Sequence, residues 1–318
     1  MIVTDMVRSY RDGLALDIAI TEPKPNIKPR AAVQFSHGMA EHKERYLEFM
    51  RYLSSRGFIC VIHDHRGHGR SIKADADLGY FYTRDFNYLS DDLYRVTAYI
   101  KDKYKNLPIY LFSHSMGTLV ARNYLKKHDT DIQKLVLCGP PTENPKAGMG
   151  IAAAKAIGLF GDRRRSRILN KLADGSYNNG FETRNAWLNT DTAEVEKYNA
   201  DKLCGYTFTV NGYINLFGLM QAAYNAKDWR AVNKNLDIFI IAGSDDPVIQ
   251  SKEKLHRLKS FLQSVGYSSV DLKIYPGMRH EILNEKSNDI VFNDVFEFLG
   301  QSLILCKPQI WLQNDNII

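Results

Sequence analysis

An α/β fold, with a mostly parallel central sheet covered by helices on both faces, is the architecture this sequence predicts. Three observations carry that expectation. Short apolar runs alternate with longer stretches of helical periodicity along most of the chain. The apolar runs are continuous, as strands buried on both faces require. Several of them end in Gly, Ser, His or Asp, so polar chemistry collects at strand ends.

Taken in order, strands are expected at 32–35, 58–62, 109–112, 134–138, 238–242 and 270–275. Helices are expected near 43–56, 88–105, 116–128, 250–264 and 287–300. The first thirty residues predict an antiparallel pair, with its turn near Pro23-Lys24-Pro25. Between Pro140 and about Val232 the alternation lapses. The expected organisation is therefore a core of residues 1–139 and 232–300, a helical cap of residues 140–231 inserted between neighbouring strands, and a tail of residues 301–318. The glycines at 148, 150, 158 and 161 suit a mobile cover; a rigid helical excursion is the alternative. Aromatic and aliphatic residues of 206–224 would line an apolar tunnel or simply fill core.

Composition narrows the class. At 318 residues and 44% hydrophobic content the chain can bury one large core plus an insertion. The net charge of +6 is a mild excess, and no nucleic-acid-binding module is visible. Arg163, Arg164, Arg165 and Arg167 form one dense basic run on the cap. Such a run is a solvated helix end, or a contact for an anionic lipid surface or an acidic substrate head group. Four cysteines without a framework fit a reducing compartment, so a cytoplasmic location is expected. The first residues carry no signal-peptide pattern, and no 18-residue apolar segment exists.

The chemical signals begin at Ser115. Residues 107–122 read as an apolar strand, a tight turn and a helix, with Ser115 at the turn. A strained strand-to-helix turn lifts a serine hydroxyl above the sheet edge, and the helix N-terminus behind it favours developing negative charge. The motif is Ser113-His114-Ser115-Met116-Gly117, with serine where glycine is usual. That position must be small because the strand and helix backbones nearly touch. The competing reading is an ordinary turn in which Ser115 caps the helix.

A nucleophilic serine needs a base, and the base needs an acid to orient it. Asp246 follows the strand 238–242 in Gly-Ser-Asp-Asp-Pro, three residues after the glycine, with Asp245 as the alternative. One aspartate is expected to serve the base and the other to cap the helix that follows. His280 follows the last strand in Pro-Gly-Met-Arg-His-Glu and is the expected base. The loop after strand 32–35 and the residue after the nucleophile supply oxyanion N–H donors in such sites, here Met39 and Met116. His37 is read as shaping that loop, and Glu41, His42 and Arg45 as capping and solvating the next helix, with contact to substrate as the alternative. The histidines of 63–68 read as part of a Gly-rich loop whose charges pair locally; no metal-ligand spacing accompanies them.

These segments resemble the monoacylglycerol lipase and lysophospholipase branch of the α/β-hydrolases, also grouped as serine aminopeptidase-like hydrolases. The matching stretches are Ser-Tyr-Arg-Asp-Gly-Leu (9–14), His-Gly-Met-Ala-Glu-His (37–42), His-Asp-His-Arg-Gly-His-Gly-Arg-Ser (63–71), Ser-His-Ser-Met-Gly (113–117), Gly-Ser-Asp-Asp-Pro-Val (243–248) and Gly-Met-Arg-His-Glu (277–281). They occur in the family's order over nearly the whole chain. The resemblance implies Ser115 as nucleophile, Asp246 as acid, His280 as base, and Met39 and Met116 as oxyanion donors, with neither cofactor nor metal. It implies an acyl ester substrate carrying one chain, and transient contact with lipid surfaces. A small-molecule carboxylesterase, thioesterase or aminopeptidase is the runner-up, and a non-catalytic binding protein on the same fold is the third reading.

Overall fold

The computed structural model describes residues 2–173, 177–227 and 229–301. The residues of the expected tail from 302 onward, Cys306 among them, lie outside the described residues. The eight strands are β1 (Ile2–Arg8), β2 (Ala15–Thr21), β3 (Ala31–Ser36), β4 (Phe58–His63), β5 (Ile109–His114), β6 (Lys134–Cys138), β7 (Asp237–Gly243) and β8 (Ser269–Tyr275). They form one sheet in the order β1-β2-β4-β3-β5-β6-β7-β8. From β4 to β8 every pairing is parallel; β1–β2 and β2–β4 are antiparallel.

Nine α-helices accompany them: α1 (Leu47–Ser54), α2 (Asn87–Lys103), α3 (Met116–His128), α4 (Ala147–Gly158), α5 (Arg167–Ala173), α6 (Thr192–Ala200), α7 (Val210–Ala222), α8 (Lys252–Ser264) and α9 (Asn288–Gly300), counted among the described residues. Alternate residues of one strand feed opposite layers, as the period of two requires. Ile59 and Val61 join the layer that holds α2, α3 and α8, whereas Cys60 and Ile62 face α1 and α9. The continuous apolar runs are thus strands buried on both sides. Helices α4 to α7 all fall between β6 and β7, which are neighbours in the sheet. No helix among the described residues is long and apolar enough to cross a membrane.

Two local expectations need correction. The β1–β2 turn lies at 9–14, not near Pro23–Pro25: Ser9 N–H donates to Leu14 O at 2.9 Å and Gly13 N–H to Ser9 O at 3.0 Å. Gly13 has φ of +72°, so Asp12-Gly13 supplies the turn geometry and the prolines follow β2. The charges of the 63–71 loop pair at long range, not locally. Arg66, fully buried, donates to Asp92 Oδ2 at 2.7 Å and Asp12 Oδ2 at 3.0 Å, pinning α2 and the hairpin turn to the loop. Asp64 accepts from Lys43 Nζ at 2.7 Å and from the backbone N–H groups of Lys43 and Arg70, each at 2.8 Å.

The order of strands sets where a site can form. Chain direction across the sheet reverses at β3, which lies between β4 and β5. Open parallel sheets bind ligands beyond the carboxyl ends of strands at such a switch point. The loops leaving β3, β5, β7 and β8 all emerge on that edge.

Lys43 tests the buried wiring. Its ammonium is 1% exposed and also meets Asp17 Oδ1 at 2.6 Å. Lys43→Met strands the buried Asp64 carboxylate, and urea denaturation should show a loss of about 3–5 kcal/mol.

Candidate active site

Ser115 sits between β5 and α3 with φ of +50° and ψ of −120°, a conformation that non-glycine residues rarely adopt. Packing holds it there. A Cβ on Gly117 would lie 2.1 Å from Ser36 O, so only glycine lets α3 press against the end of β3. Ser113 is small enough to stay buried, and its hydroxyl donates to Val136 O at 2.8 Å. The Ser115 N–H donates to Cys138 O at 2.9 Å, which extends the β5–β6 pairing to the turn itself. A plain helix cap fails as an explanation, because Ser115 makes no side-chain capping hydrogen bond.

His280 and Asp246 meet beside it. His280 Nδ1–H donates to Asp246 Oδ2 at 2.8 Å, and both side chains are buried. Asp246 uses its other oxygen to accept the Val248 N–H at 2.8 Å, capping the short turn Pro247–Ile249. The expectation that Asp245 would take the capping role is therefore corrected: Asp246 does both. Asp245 is exposed and accepts from Ser244 Oγ at 2.7 Å. The next helix, α8, is capped by Ser251. Two glycines make room for the pair. A Cβ on Gly243 would lie 2.1 Å from Met278 O, and one on Gly139, at φ of +54°, would lie 3.1 Å from the His280 ring.

Gly38 brings the β3 loop against the serine: a Cβ there would lie 3.1 Å from Ser115 Cβ. Met39 and Met116 both line the cavity that Ser115 and His280 share. His37 shapes the loop as expected. Its Nδ1–H donates to Gly38 O at 2.8 Å and its Nε2 accepts the His65 N–H at 2.9 Å. Burial drives its pKa well below the ordinary value, so the ring is neutral.

Glu41, His42 and Arg45 depart from the expected solvated role, since all three are largely buried. Glu41 Oε1 accepts the Gly38 N–H at 2.5 Å, the Tyr46 hydroxyl at 2.8 Å and His114 Nδ1–H at 3.2 Å. Arg45 donates to Glu41 Oε2 at 3.2 Å and grips Glu281 through both of its terminal nitrogens, one at 2.6 Å. His114 Nε2–H donates to His280 O at 3.3 Å. Burial would raise the Glu41 carboxyl, but the hydrogen bond and charge of His114, with Arg45 and Tyr46, outweigh it and hold the pKa near 2. Burial pulls His114 down, and Glu41 more than reverses it, so His114 is raised.

The inserted segment closes the cavity, whose volume is about 290 Å³. Leu119, Pro141, Leu216, Met220 and Val248 give it an apolar wall; Asn170, Asn178, Arg184 and Asn185 give it a polar one. Within 206–224 the roles divide: Tyr206, Leu216 and Met220 line the cavity, while Phe208, Tyr213, Phe217 and Leu219 fill core. Sequence reasoning missed Trp187, whose ring lies 5.2 Å from that of His280, and gave Glu281 no role. Trp187 lies in a stretch without periodicity, and the Arg45–Glu281 pair spans 236 residues, so neither left a local signal.

Among the described residues, one cluster has metal-ligand chemistry: His42, Asp201 and Cys204 place ligand atoms within 4.8 Å of one another. His42 already donates to Glu44 Oε2 at 2.6 Å and Asp201 Oδ2 at 2.8 Å. Burial lowers its pKa, but Cys204, Glu44 and Asp201 raise it to about 11. An imidazolium with both nitrogens engaged has no lone pair for a metal, so the cluster serves as an ion pair.

A parallel sheet with a strained serine turn at its switch point and a His–Asp pair on the same edge is the architecture of the α/β-hydrolases. A family model described as serine aminopeptidase, S33, matches residues 27–287, and the chain belongs to that family. A monoacylglycerol lipase of Mycolicibacterium smegmatis is 26% identical over 88% of this chain and 91% of its own length. A human monoglyceride lipase is 28% identical over 87% of this chain and 85% of its own. Among solved structures, a thermostable carboxyl esterase from Bacillus coagulans in complex with glycerol superposes with a TM-score of 0.87 at 25% identity, covering 95% of this chain and 99% of that one.

The Glu41 carboxylate gives a pH-dependent prediction. Its pKa is depressed from 4.5 to about 2, so its stabilising contribution is complete above about pH 4.5 and is lost as pH falls toward 2. Glu41→Gln should lower the urea midpoint at neutral pH and reduce its further fall between those two pH values. Denaturation midpoints across that range check it.

Proposed function

We propose that this protein hydrolyses carboxylic esters of lipids that carry one acyl chain, such as a monoacylglycerol or a lysophospholipid. His280 Nε2 takes the proton of Ser115 Oγ as the oxygen attacks the ester carbonyl. The backbone N–H groups of Met39 and Met116 hold the oxyanion, and the dipole of α3 adds to them. Asp246 fixes the His280 tautomer and stabilises the imidazolium. His280 then protonates the leaving alkoxide. Water, deprotonated by His280, attacks the acyl-enzyme and releases the fatty acid. Residues 140–231 act as the cap whose apolar wall receives the chain.

The observation that carries this reading is the buried His280–Asp246 hydrogen bond, at 2.8 Å, with His280 lining the same cavity as a strained Ser115. The relatives named as monoacylglycerol and monoglyceride lipases support the lipid substrate. An aminopeptidase would need a carboxylate available to hold a free amine. Of the acids that line the cavity, Glu41 and Glu281 are both engaged by Arg45, which favours esters. A compact-substrate carboxylesterase is the second reading, favoured by the likeness to the Bacillus coagulans esterase. We place the protein in the cytoplasm, because Cys60, Cys138 and Cys204 are buried free thiols.

A fluorophosphonate probe should label the wild type and leave Ser115→Ala unlabelled. Hydrolysis of p-nitrophenyl esters from acetate to palmitate should peak at medium or long chains; a peak at acetate or butyrate would select the compact-substrate esterase. Absence of both labelling and hydrolysis in folded protein would sink the catalytic reading. Asp246→Asn should lower kcat on the order of 10⁴-fold, as loss of the orienting acid does elsewhere. Asp245→Asn should leave kcat unchanged.

A further inference from the structure

The cavity beside Ser115 carries one guanidinium and no spare acid. Arg184 is the one lysine or arginine among the residues that line it. The two carboxylates on its wall, Glu41 and Glu281, are both neutralised by Arg45. Arg184 has no carboxylate partner among the described residues; its Nη2 donates to Gly205 O at 2.7 Å. That bond leaves Nε and Nη1 without a protein acceptor among the described residues. The dense basic run at 163–167 is not another source of charge here. Arg163 pairs with Asp77, Arg165 donates to the carbonyls of Leu78 and Thr207, and none of the four arginines lines the cavity.

The amides around Arg184 add donors to it. Asn178 spends its side-chain oxygen on the Asn185 N–H, at 2.9 Å, and Asn170 spends its own on the Tyr213 hydroxyl, at 2.6 Å. Each carboxamide therefore keeps its N–H donors for whatever enters. Asn185 alone is turned the other way, donating to Asn199 Oδ1 at 2.7 Å. A guanidinium and two donor amides against one amide oxygen make a wall that suits an anion.

Position shows which part of the substrate meets this wall. The Trp187 ring lies 5.2 Å from the His280 ring and 5.1 Å from the Tyr177 ring. Arg184 and Asn185 come just before Trp187 in the chain, and Asn178 follows Tyr177. The polar wall thus belongs to the stretch that packs against His280. A general base that later protonates the leaving alkoxide must reach the leaving oxygen. The group on that oxygen is the head group, whereas the acyl chain has the apolar wall of Leu216, Met220 and Val248. Gly205, which holds Arg184, donates its N–H to Ala40 O at 2.9 Å, beside Met39. The guanidinium is therefore fastened to the loop that faces Ser115.

We propose that Arg184, with Asn170 and Asn178, binds a phosphate on the head group, so that the preferred substrate is an anionic lysophospholipid and not a neutral monoacylglycerol. A guanidinium presents its N–H donors in one plane, which suits phosphate oxygens. The inference rests on the lipid-ester reading and narrows its head group. Arg184 selects the substrate and makes or breaks no bond.

Two lipids that differ only by the phosphate test it: lauroyl lysophosphatidic acid and monolauroylglycerol, in the same neutral detergent micelles. Wild-type kcat/KM should be about tenfold higher for the phosphorylated lipid. Arg184→Gln should remove that preference by raising KM, and Arg184→Lys should keep part of it. Asn178→Asp puts an acid in the wall without touching the Arg184–Gly205 bond, and should also reduce the preference. A structural role through Gly205 would instead lower kcat on both lipids alike, and that result would overturn the proposal. So would a wild type that treats the two lipids equally or favours the neutral one. Calorimetry with Ser115→Ala protein reads the head-group site without hydrolysis. Lysophosphatidic acid should bind there about tenfold tighter than monolauroylglycerol, and inorganic phosphate far more weakly than the lipid. Phosphate binding as tight as the lipid's would mark an anion site unconnected with the acyl chain and would also overturn the proposal. If the binding preference holds but wild type hydrolyses neither lipid, the head-group site stands and the hydrolase reading falls.

Discussion

The buried ion pair between Arg45 and Glu281, with Glu41 beside it, is the interaction on which the site depends. Each of its partners is chained to a position next to one of the proposed reacting groups. Glu41 holds the N–H of Gly38, the neighbour of Met39; His114 precedes Ser115; Glu281 follows His280. Three loops from three strands are thereby held together by charge-assisted hydrogen bonds out of water. Desolvating so many charges is expensive, and such networks persist where every member is satisfied. Here the arginine is gripped at both ends, and the carboxylate of Glu41 has four donors.

The same electrostatics sort the histidines. His63 and His68 lie in the interior without a carboxylate in contact, and burial pulls them to about 3 and 4, so they are neutral near pH 7. His42 and His114 are buried too, but each touches a carboxylate, and each is raised. A cluster of imidazoles that looks uniform in sequence is two populations in the fold. One population is packing material, and the other is counter-charge for the loops. Neither population includes His280, the proposed base.

The parallel strands were legible because each is a continuous apolar run that ends at a chemically marked loop, and the observed ends differ from the expected ones by a residue or two. Strand β1 was harder: most of its residues are exposed, so it lacks the pattern that marks a strand, and the prolines at 23 and 25 drew the expected turn away from Asp12-Gly13. Ser115, Asp246 and His280 could be placed because strand order puts their loops on one edge. The Arg45–Glu281 pair and the Lys43–Asp64 pair could not, since each joins residues that share no local pattern. Charged residues near a loop read as solvated, and only the packing of other elements over them reveals that they are interior. Helix α4 shows the converse, for an evenly apolar segment gives no hint of which side meets solvent.

Ala40 O, next to the expected oxyanion loop donor, accepts the Gly205 N–H at 2.9 Å and the Tyr198 hydroxyl at 3.0 Å, and His42 joins Asp201 a short distance away. The inserted segment is therefore two mechanical parts. Its later stretch, around 198–205, is bolted to the loop proposed to donate the oxyanion N–H, so lifting it would disturb that loop as well. Helices α4 and α5 carry no such bolt to that loop among the described residues; they are held instead by Gly150 against Phe217 of α7, by Asp162 with Arg84 and by Arg163 with Asp77. The two halves of the insertion are thus fastened to different parts of the core, and a transplanted cap from another protein would have to bring its own fastening to Ala40.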